Sequence, residues 1–156
     1  MTEPVASRPG FPVGYGIRSE REGMLDWSWA EERLEASRNY WVGTVRSDGS
    51  PHAAPVWGLW IEGAVVFSTS PESRKGRNLA RDPRVVVHLE SGDEVVILEG
   101  VVETIALEAH MTDAYEAKYD YRPGGEGDWY ALRPRVALAW LESDYPRTAT
   151  RFSFDG

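Results

Sequence analysis

The stretch YWVGTVRSDGSPHAAPVWGLWI, residues 40–61, decides the fold. Tyr40 to Arg46 is β-branched and aromatic, which predicts a strand, and Ser47-Asp48-Gly49 follows as a hairpin turn. A second strand is expected from about His52 to Ile61. It is unusual, because Pro55 has no N–H to give to a ladder and Gly58 has no side chain; both favour places where pairing stops or another group comes close. Working outward, Glu62-Gly63 turns the chain into a strand Ala64–Thr69. Arg84–Glu90 and Glu94–Ile105 are two more, joined by the turn Ser91-Gly92-Asp93. The valine runs RVVVHLE and EVVILEGVVETI read as strands buried on both sides or as barrel staves, and Gly100 marks a bend or bulge. Strands Val136–Glu142 and Thr148–Phe154, joined through Asp144-Tyr145-Pro146, complete about seven. Consecutive hairpins predict an antiparallel barrel rather than a parallel βαβ fold, mainly β with short helices.

Three helices are expected. Asp26–Tyr40 carries Ser28 and Glu31 at capping-box spacing with Leu34, Trp27 and Trp29 as its apolar stripe. A short basic helix starts near Ser73 and ends at Pro83, and Leu107–Tyr119 has helical spacing before Arg122-Pro123-Gly124-Gly125 and GEGD form a loop. Residues 1–25, with no apolar h-region, read as an irregular arm before a single domain over 26–156. At 156 residues the chain has the length of one domain. It has no cysteine, which removes disulfides, thiolate catalysis and iron–sulfur clusters. The net charge of -8 argues against nucleic acid, and the absence of a long apolar run against a membrane; a cytoplasmic address is expected. Seven Trp and seven Tyr suit core and dimer-interface packing, with a few available to stack on a planar ligand.

The chemistry concentrates in FSTSPESRKGRNLARDP, Phe67 to Pro83. A strand ending in hydroxyl residues hands over to the N-terminus of a basic helix. Thr69, Ser70 and Ser73 offer hydroxyls, the first helical turn offers unpaired N–H groups, and Arg74, Lys75 and Arg77 offer charge. Between Arg74 and Arg84 five basic residues face one acid, within an otherwise acidic chain. The island is either a solvated helix with its arginines paired to neighbouring acids, or a site for a phosphate. The histidines His52, His88 and His110 lack metal-ligand spacing; His88 among valines reads as a core or interface residue, and His52 as solvated or in contact with a ligand. No metal site is expected, and carboxylate pairs such as Asp82 with Glu90, or Glu99 with Glu103, receive no catalytic role. The strand with Pro55, Trp57 and Gly58 lies next to the phosphate grip in a hairpin, so a ligand with an anionic end and a flat end can span them.

The series WVGTVRSDGSPHAAPVWGLW, FSTSPESRKGRNLARDPRVVVHLE, VVILEGVVE, AYEAKY and ATRFSF resembles the split β-barrel flavin and deazaflavin proteins related to pyridoxamine 5′-phosphate oxidase. Within them it is most similar to the actinobacterial branch that uses the deazaflavin coenzyme F420. The resemblance covers Trp27 to Phe154. Its most specific part is the arrangement SxKxRNLxxDPRV at Ser73, Lys75, Asn78, Leu79, Asp82, Pro83 and Val85. It implies a split β-barrel and a homodimer with sites at the subunit interface. Lys75, Thr69 and Ser73 would hold the cofactor phosphate, with Arg74 and Asn78 close by, and the backbone around Pro55, Val56 and Trp57 would face the ring. Arg151, Trp129, Trp140 and Phe152 are the candidates for the partner chain's contribution. The implied activity is hydride transfer from F420 to a planar conjugated small molecule such as a quinone, enone or tetrapyrrole. The alternatives are an FMN-dependent oxidase, or a non-catalytic module that binds a flavin, F420 or haem. One feature departs from a good helix: Gly76 inside the basic helix costs about 1 kcal/mol in propensity.

Overall fold

A computed structural model describes residues 3–124 and 127–155; Gly125 and Glu126, in the loop expected before Trp129, lie outside the described residues, as do Met1, Thr2 and Gly156. In chain order the elements are β1 (Val5–Ser7), α1 (Trp27–Ala36), β2 (Tyr40–Val45), β3 (Pro51–Val56), β4 (Leu59–Ile61), β5 (Ala64–Thr69) and α2 (Arg74–Arg81). They continue with β6 (Arg84–His88), β7 (Glu94–Ile105), α3 (Ala109–Tyr119), β8 (Asp128–Leu141), α4 (Tyr145–Thr148) and β9 (Thr150–Ser153). Every pairing is antiparallel, in the order β1-β9-β8-β7-β6-β2-β3, with β5 attached to β8 and β4 to β5. The expected mainly-β antiparallel fold with short helices is what forms.

The long strand β8 makes the barrel a split one. Residues Asp128 to Leu132 pair with β5, whereas Val136 to Ala139 pair with β9, so two neighbours diverge along one edge. The divergence falls at a bulge. Gly100 lies opposite Pro134 and Glu99 opposite Val136, which leaves Arg135 as the extra residue. Pro134 has no N–H to offer and is tolerated where the ladder is interrupted, and the freed carbonyl of Arg135 accepts the N–H of Phe154 at 2.9 Å. Gly100 has a steric reason as well: a Cβ there would stand 2.9 Å from Leu132 Cδ1 and 3.1 Å from Arg133 O.

The valine runs form barrel staves, and burial on both faces falls to β5 instead. In β6 and β7, Val85, Val87, Val96 and Leu98 point into the barrel beside Tyr40, Val42 and Phe152, while Val86 and Ile97 face outward half-buried. In β5 both faces are covered: Val65 and Phe67 join the barrel core, and Ala64 and Val66 lie under α3 with Met111, Tyr115 and Tyr119. Each such apolar side chain contributes about 1.5–3 kcal/mol on burial, so α3 is held by packing rather than by its own propensity.

Four expectations change. The Ser28–Glu31 capping box does not form: Asp26 is the N-cap without a side-chain bond, and Glu31 instead accepts the indole N–H of Trp60 at 3.0 Å. The strand expected over His52–Ile61 divides at Trp57-Gly58, because β3 pairs with β2 and β4 turns away to pair with β5. The strand expected to begin at Val136 starts eight residues earlier, at Asp128, carrying Pro134 within it. The stretch read as an irregular arm adds a strand, with Val5 opposite Ser153 and Ser7 opposite Arg151. Arg8 fastens it by donating to the carbonyls of Glu20, Glu22, Arg147 and Ala149.

Candidate functional site

The turn after β5 and the first turn of α2 form a closed set of hydrogen bonds. Ser73 caps the helix: its Oγ accepts from the N–H of Gly76 at 3.0 Å and donates to Ser70 O at 2.7 Å. That leaves Thr69 Oγ1, 2.8 Å away, to donate to Ser73 Oγ. Both hydroxyls expected to hold a phosphate are thus committed inside the loop. What the loop presents outward is the backbone N–H of Arg74 and of Lys75, which have no partner among the described residues. Gly76 permits this geometry, because a Cβ there would overlap Ser70 O and come within 2.8 Å of Pro71 Cα. Its cost in helix propensity is offset by a close approach that no other residue allows.

The charges around that turn separate into two groups. Arg84 pairs with Asp82 at 2.7 Å, and Arg81 donates to the carbonyl of Val45. Arg74, Lys75 and Arg77 are in no ion pair among the described residues. The reading of the island as a helix neutralised by nearby acids therefore fails for the three residues at its exposed start.

The β2–β3 hairpin brings two more groups to the same place, Arg46 and His52. Burial first, and then the fields of Arg46, Lys75 and Arg74, hold the His52 imidazole below its usual pKa. Its Nδ1 is buried without a hydrogen-bond partner among the described residues. Arg46, Arg74 and Lys75 around a neutral His52, with Asp48 beside Arg46 alone, fit a phosphate, which would relieve the repulsion among the three cations. Arg46 carried no signal in the sequence, because only the register Thr44 opposite His52 sets the hairpin end beside α2. Asn78 belongs to the interior instead: it is 0% exposed, and its Nδ2 donates to Thr44 Oγ1 at 2.9 Å, tying α2 to β2.

Next to the cationic end, β3 turns Ala53 and Pro55 outward, small groups beside which a flat ring can approach closely. Val56 is half-buried and packs against the core. Trp57, 38% exposed, stacks on Tyr119 with centroids 4.5 Å apart and planes 7° apart, and the Arg38 guanidinium lies 5.1 Å from its ring. The corner below is pinned from α3: Lys118 Nζ donates to Gly58 O at 2.8 Å and to Tyr40 Oη at 2.9 Å, and the N–H of Gly58 donates to Tyr119 Oη. A side chain at Gly58 would lie 2.9 Å from Val66 O, so the corner is tight on every side.

Of the residues named for a partner chain, Arg151 lies half-buried on the outward side of the sheet, in register with Leu138. Trp140 is taken by the arm, with Phe11 6.5 Å and Tyr145 5.3 Å from it. Trp129 lies under α3 against Tyr115, and Phe152 lies in the barrel core, so neither ring is available to a second copy.

The family model described as pyridoxamine 5′-phosphate oxidase matches residues 29–142, from α1 to the end of β8, and so includes the whole of this site. The chain belongs to that family. A pyridoxine/pyridoxamine 5′-phosphate oxidase of Pseudomonas paraeruginosa is 34% identical over 130 residues; the match covers 78% of this chain and 58% of that protein, so the chain spans little more than half of its relative. Among solved structures, the conserved hypothetical protein Rv2991 from Mycobacterium tuberculosis superposes with a TM-score of 0.68 at 23% identity, over 80% of this chain and 89% of that one. A protein described as an F420 reductase superposes with a TM-score of 0.59 at 22% identity, over 69% and 94%. Within the described residues of this family member, no helix is long and apolar enough to cross a membrane.

The Lys118 contact makes a prediction about stability. Burial pushes its ammonium down to about 8. Between that value and the ordinary lysine range the folded chain has released a proton that the unfolded chain keeps, so stability rises with pH across this interval. Because the side chain is only half-buried, the expected gain is about 1 kcal/mol. Above about pH 10 the sign reverses, since burial raises Tyr115 to about 12 and Tyr40 and Tyr119 also upward, and the unfolded tyrosines ionise first. Urea unfolding at pH 7.5 and 9.5 is expected to show the rise, and Lys118→Met to remove it; an unchanged rise in that variant would assign the titration to another group.

Proposed function

We propose that the protein is an oxidoreductase that holds a phosphorylated flavin-type cofactor, coenzyme F420, and positions a small planar conjugated molecule against its ring. The observation that carries this reading is the pair of cations Arg74 and Lys75, in no ion pair among the described residues, beside Arg46 and a neutral His52 and around two backbone N–H groups at the start of α2. Arg77, also unpaired, extends the charge along the helix in the direction an acidic tail would need. The fold shared with a protein described as an F420 reductase supports F420. The 34% identity to a pyridoxine/pyridoxamine 5′-phosphate oxidase supports FMN as the second reading.

In this reading Lys75 and Arg74 hold the phosphate by charge and by backbone N–H, and Ser73 and Thr69 keep the loop in the shape that exposes those N–H groups. The ring lies along Ala53 and Pro55, and Trp57, fixed by Tyr119 and Arg38, limits its travel at the β3–β4 corner. A bound deazaflavin supplies a hydride, so what is asked of the chain is orientation and exclusion of water at the ring. The site is completed by a second copy of the chain. The outward face of the sheet runs in register from Pro55 through Trp41, His88, Ile97 and Leu138 to Arg151, with a parallel row Ala53, Gly43, Val86, Glu99, Val136, Ser153. A depression of about 610 Å3 lies over Gly43, Val86 and Val136. This face, part apolar and part charged, starts at the ring end of the site and is where a second copy would dock.

Calorimetric titration with F420, FMN and inorganic phosphate tests the reading. Binding of F420 in the micromolar range is expected, and Lys75→Ala should weaken it by about 1–3 kcal/mol through loss of one charge-assisted hydrogen bond. Bound anion should also raise the pKa of His52 in proton NMR, because it cancels the field of Arg46, Lys75 and Arg74. Failure of both cofactors to bind would overturn the proposal. A yellow purified protein that consumes oxygen would select FMN.

A further inference from the structure

We propose that the split of the barrel holds a second binding site, for a small organic cation, separate from the anion-binding end. Where β8 leaves β5 and joins β9, a cavity of about 350 Å3 opens into the aromatic end of the core. That is near the lower end of the range for ligand pockets, about 300–1,000 Å3. It is built from α1, the β4–β5 turn, the middle of β8 and the residues after β9, whereas the anion site is built from the β2–β3 hairpin and α2.

Trp27, Trp60 and Phe154 supply the aromatic wall. Trp60 stands 6.0 Å from Trp27 at 72°, and Phe154 stands 4.9 Å from Trp27 at 77°, so the three rings form corners rather than a stack. Each pair is an edge-to-face contact, so the rings enclose no space between them and meet the cavity as one electron-rich aromatic wall, a surface that attracts cations. The indole N–H of Trp60 donates to Glu31 Oε2 at 3.0 Å, which shifts electron density into the ring and favours a positive guest.

The charges at the cavity point the same way. Glu3 and Asp155 line it and are in no ion pair among the described residues. Arg133, the one basic group there, is engaged in an exposed ion pair with Glu103. An anion entering would meet two carboxylates that are in no ion pair among the described residues, and a neutral aromatic would leave them unused. A cation attached to a small apolar body, such as an aromatic amine or a quaternary ammonium, satisfies both the wall and the rim.

The test uses benzyltrimethylammonium as the probe, titrated into the full chain at low salt and followed by calorimetry and tryptophan fluorescence, with benzoate as the control of opposite charge. Saturable binding of the cation is expected, at least about tenfold tighter than benzoate. The double variant Glu3→Gln/Asp155→Asn, altered at exposed rim positions, should weaken it about fivefold while leaving the response to inorganic phosphate unchanged. Lack of saturation, equal binding of benzoate, or unchanged affinity in the double variant would overturn the proposal. Displacement of the probe by FMN would also overturn it, by placing the cation in the cofactor groove. None of these outcomes depends on which cofactor the other site takes.

Discussion

Replacing Gly76 by alanine is expected to destabilise the protein by about 2–4 kcal/mol and to abolish measurable phosphate binding. Two effects oppose each other at this position. Alanine is the better helix former by about 1 kcal/mol and also restricts the unfolded chain, so on an exposed helix the change would stabilise. Here the added Cβ would overlap Ser70 O and press on Pro71 Cα and C, all backbone atoms that no side-chain rotation can move aside. The turn must open, and with it go the bonds from Ser73 Oγ to Ser70 O and from the Gly76 N–H to Ser73 Oγ. Those two bonds aim the free N–H groups of Arg74 and Lys75. Chemical denaturation measures the stability loss, and titration with inorganic phosphate measures the binding loss. A variant as stable as the parent, still binding phosphate, would show that the turn is not held as described.

The same residue shows how far the sequence could be read. Gly76 looked like a defect in the basic helix, since propensity is local and the loop that folds back over it is not. The hairpins around Asp48-Gly49 and Glu62-Gly63, the strand boundaries of β5 to β7 and the bulge at Gly100 were legible because turn chemistry and valine periodicity act over a few residues. The early start of β8 was not: Asp128 to Arg135 combines charge, aromatics and a proline, and becomes a strand because β5 and β7 flank it. The cationic residues of the candidate site were visible as a charge island. Their neighbour Arg46 was hidden and His52 was left between solvent and a ligand contact, because only the pairing of the hairpin with the rest of the sheet brings its end to α2. Thr69, Ser73 and Asn78 were marked as ligand contacts, and their positions were informative although their side chains point elsewhere: they build and anchor the loop that presents the backbone.

Placing a charge on the outward sheet face is expected to convert the proposed dimer into monomers, and Val86→Glu is the sharpest form of that change. Val86 lies between Gly43 and Glu99 in the outward row, and its Cγ1 would stand 2.6 Å from any Cβ at position 43, so it already fills the space the glycine leaves. A glutamate there remains solvated in a monomer and faces Glu99 across the strand pair, a like-charge cost of under about 1 kcal/mol that leaves the fold formed. In a symmetric pair both copies carry the change, and each desolvated carboxylate costs about 1–3 kcal/mol or more, a loss that counts twice. Analytical ultracentrifugation should show a dimer for the parent and a monomer for the variant. The two halves of the site then separate: the monomer retains the cationic turn and should still shift the His52 pKa with inorganic phosphate, while losing most of its affinity for a cofactor whose ring needs the second copy. A parent chain that sediments as a monomer at about 100 μM would remove the dimer. Loss of the phosphate response in Val86→Glu would show instead that the anion end itself depends on the partner, which the closed hydrogen-bond set around Ser73 argues against.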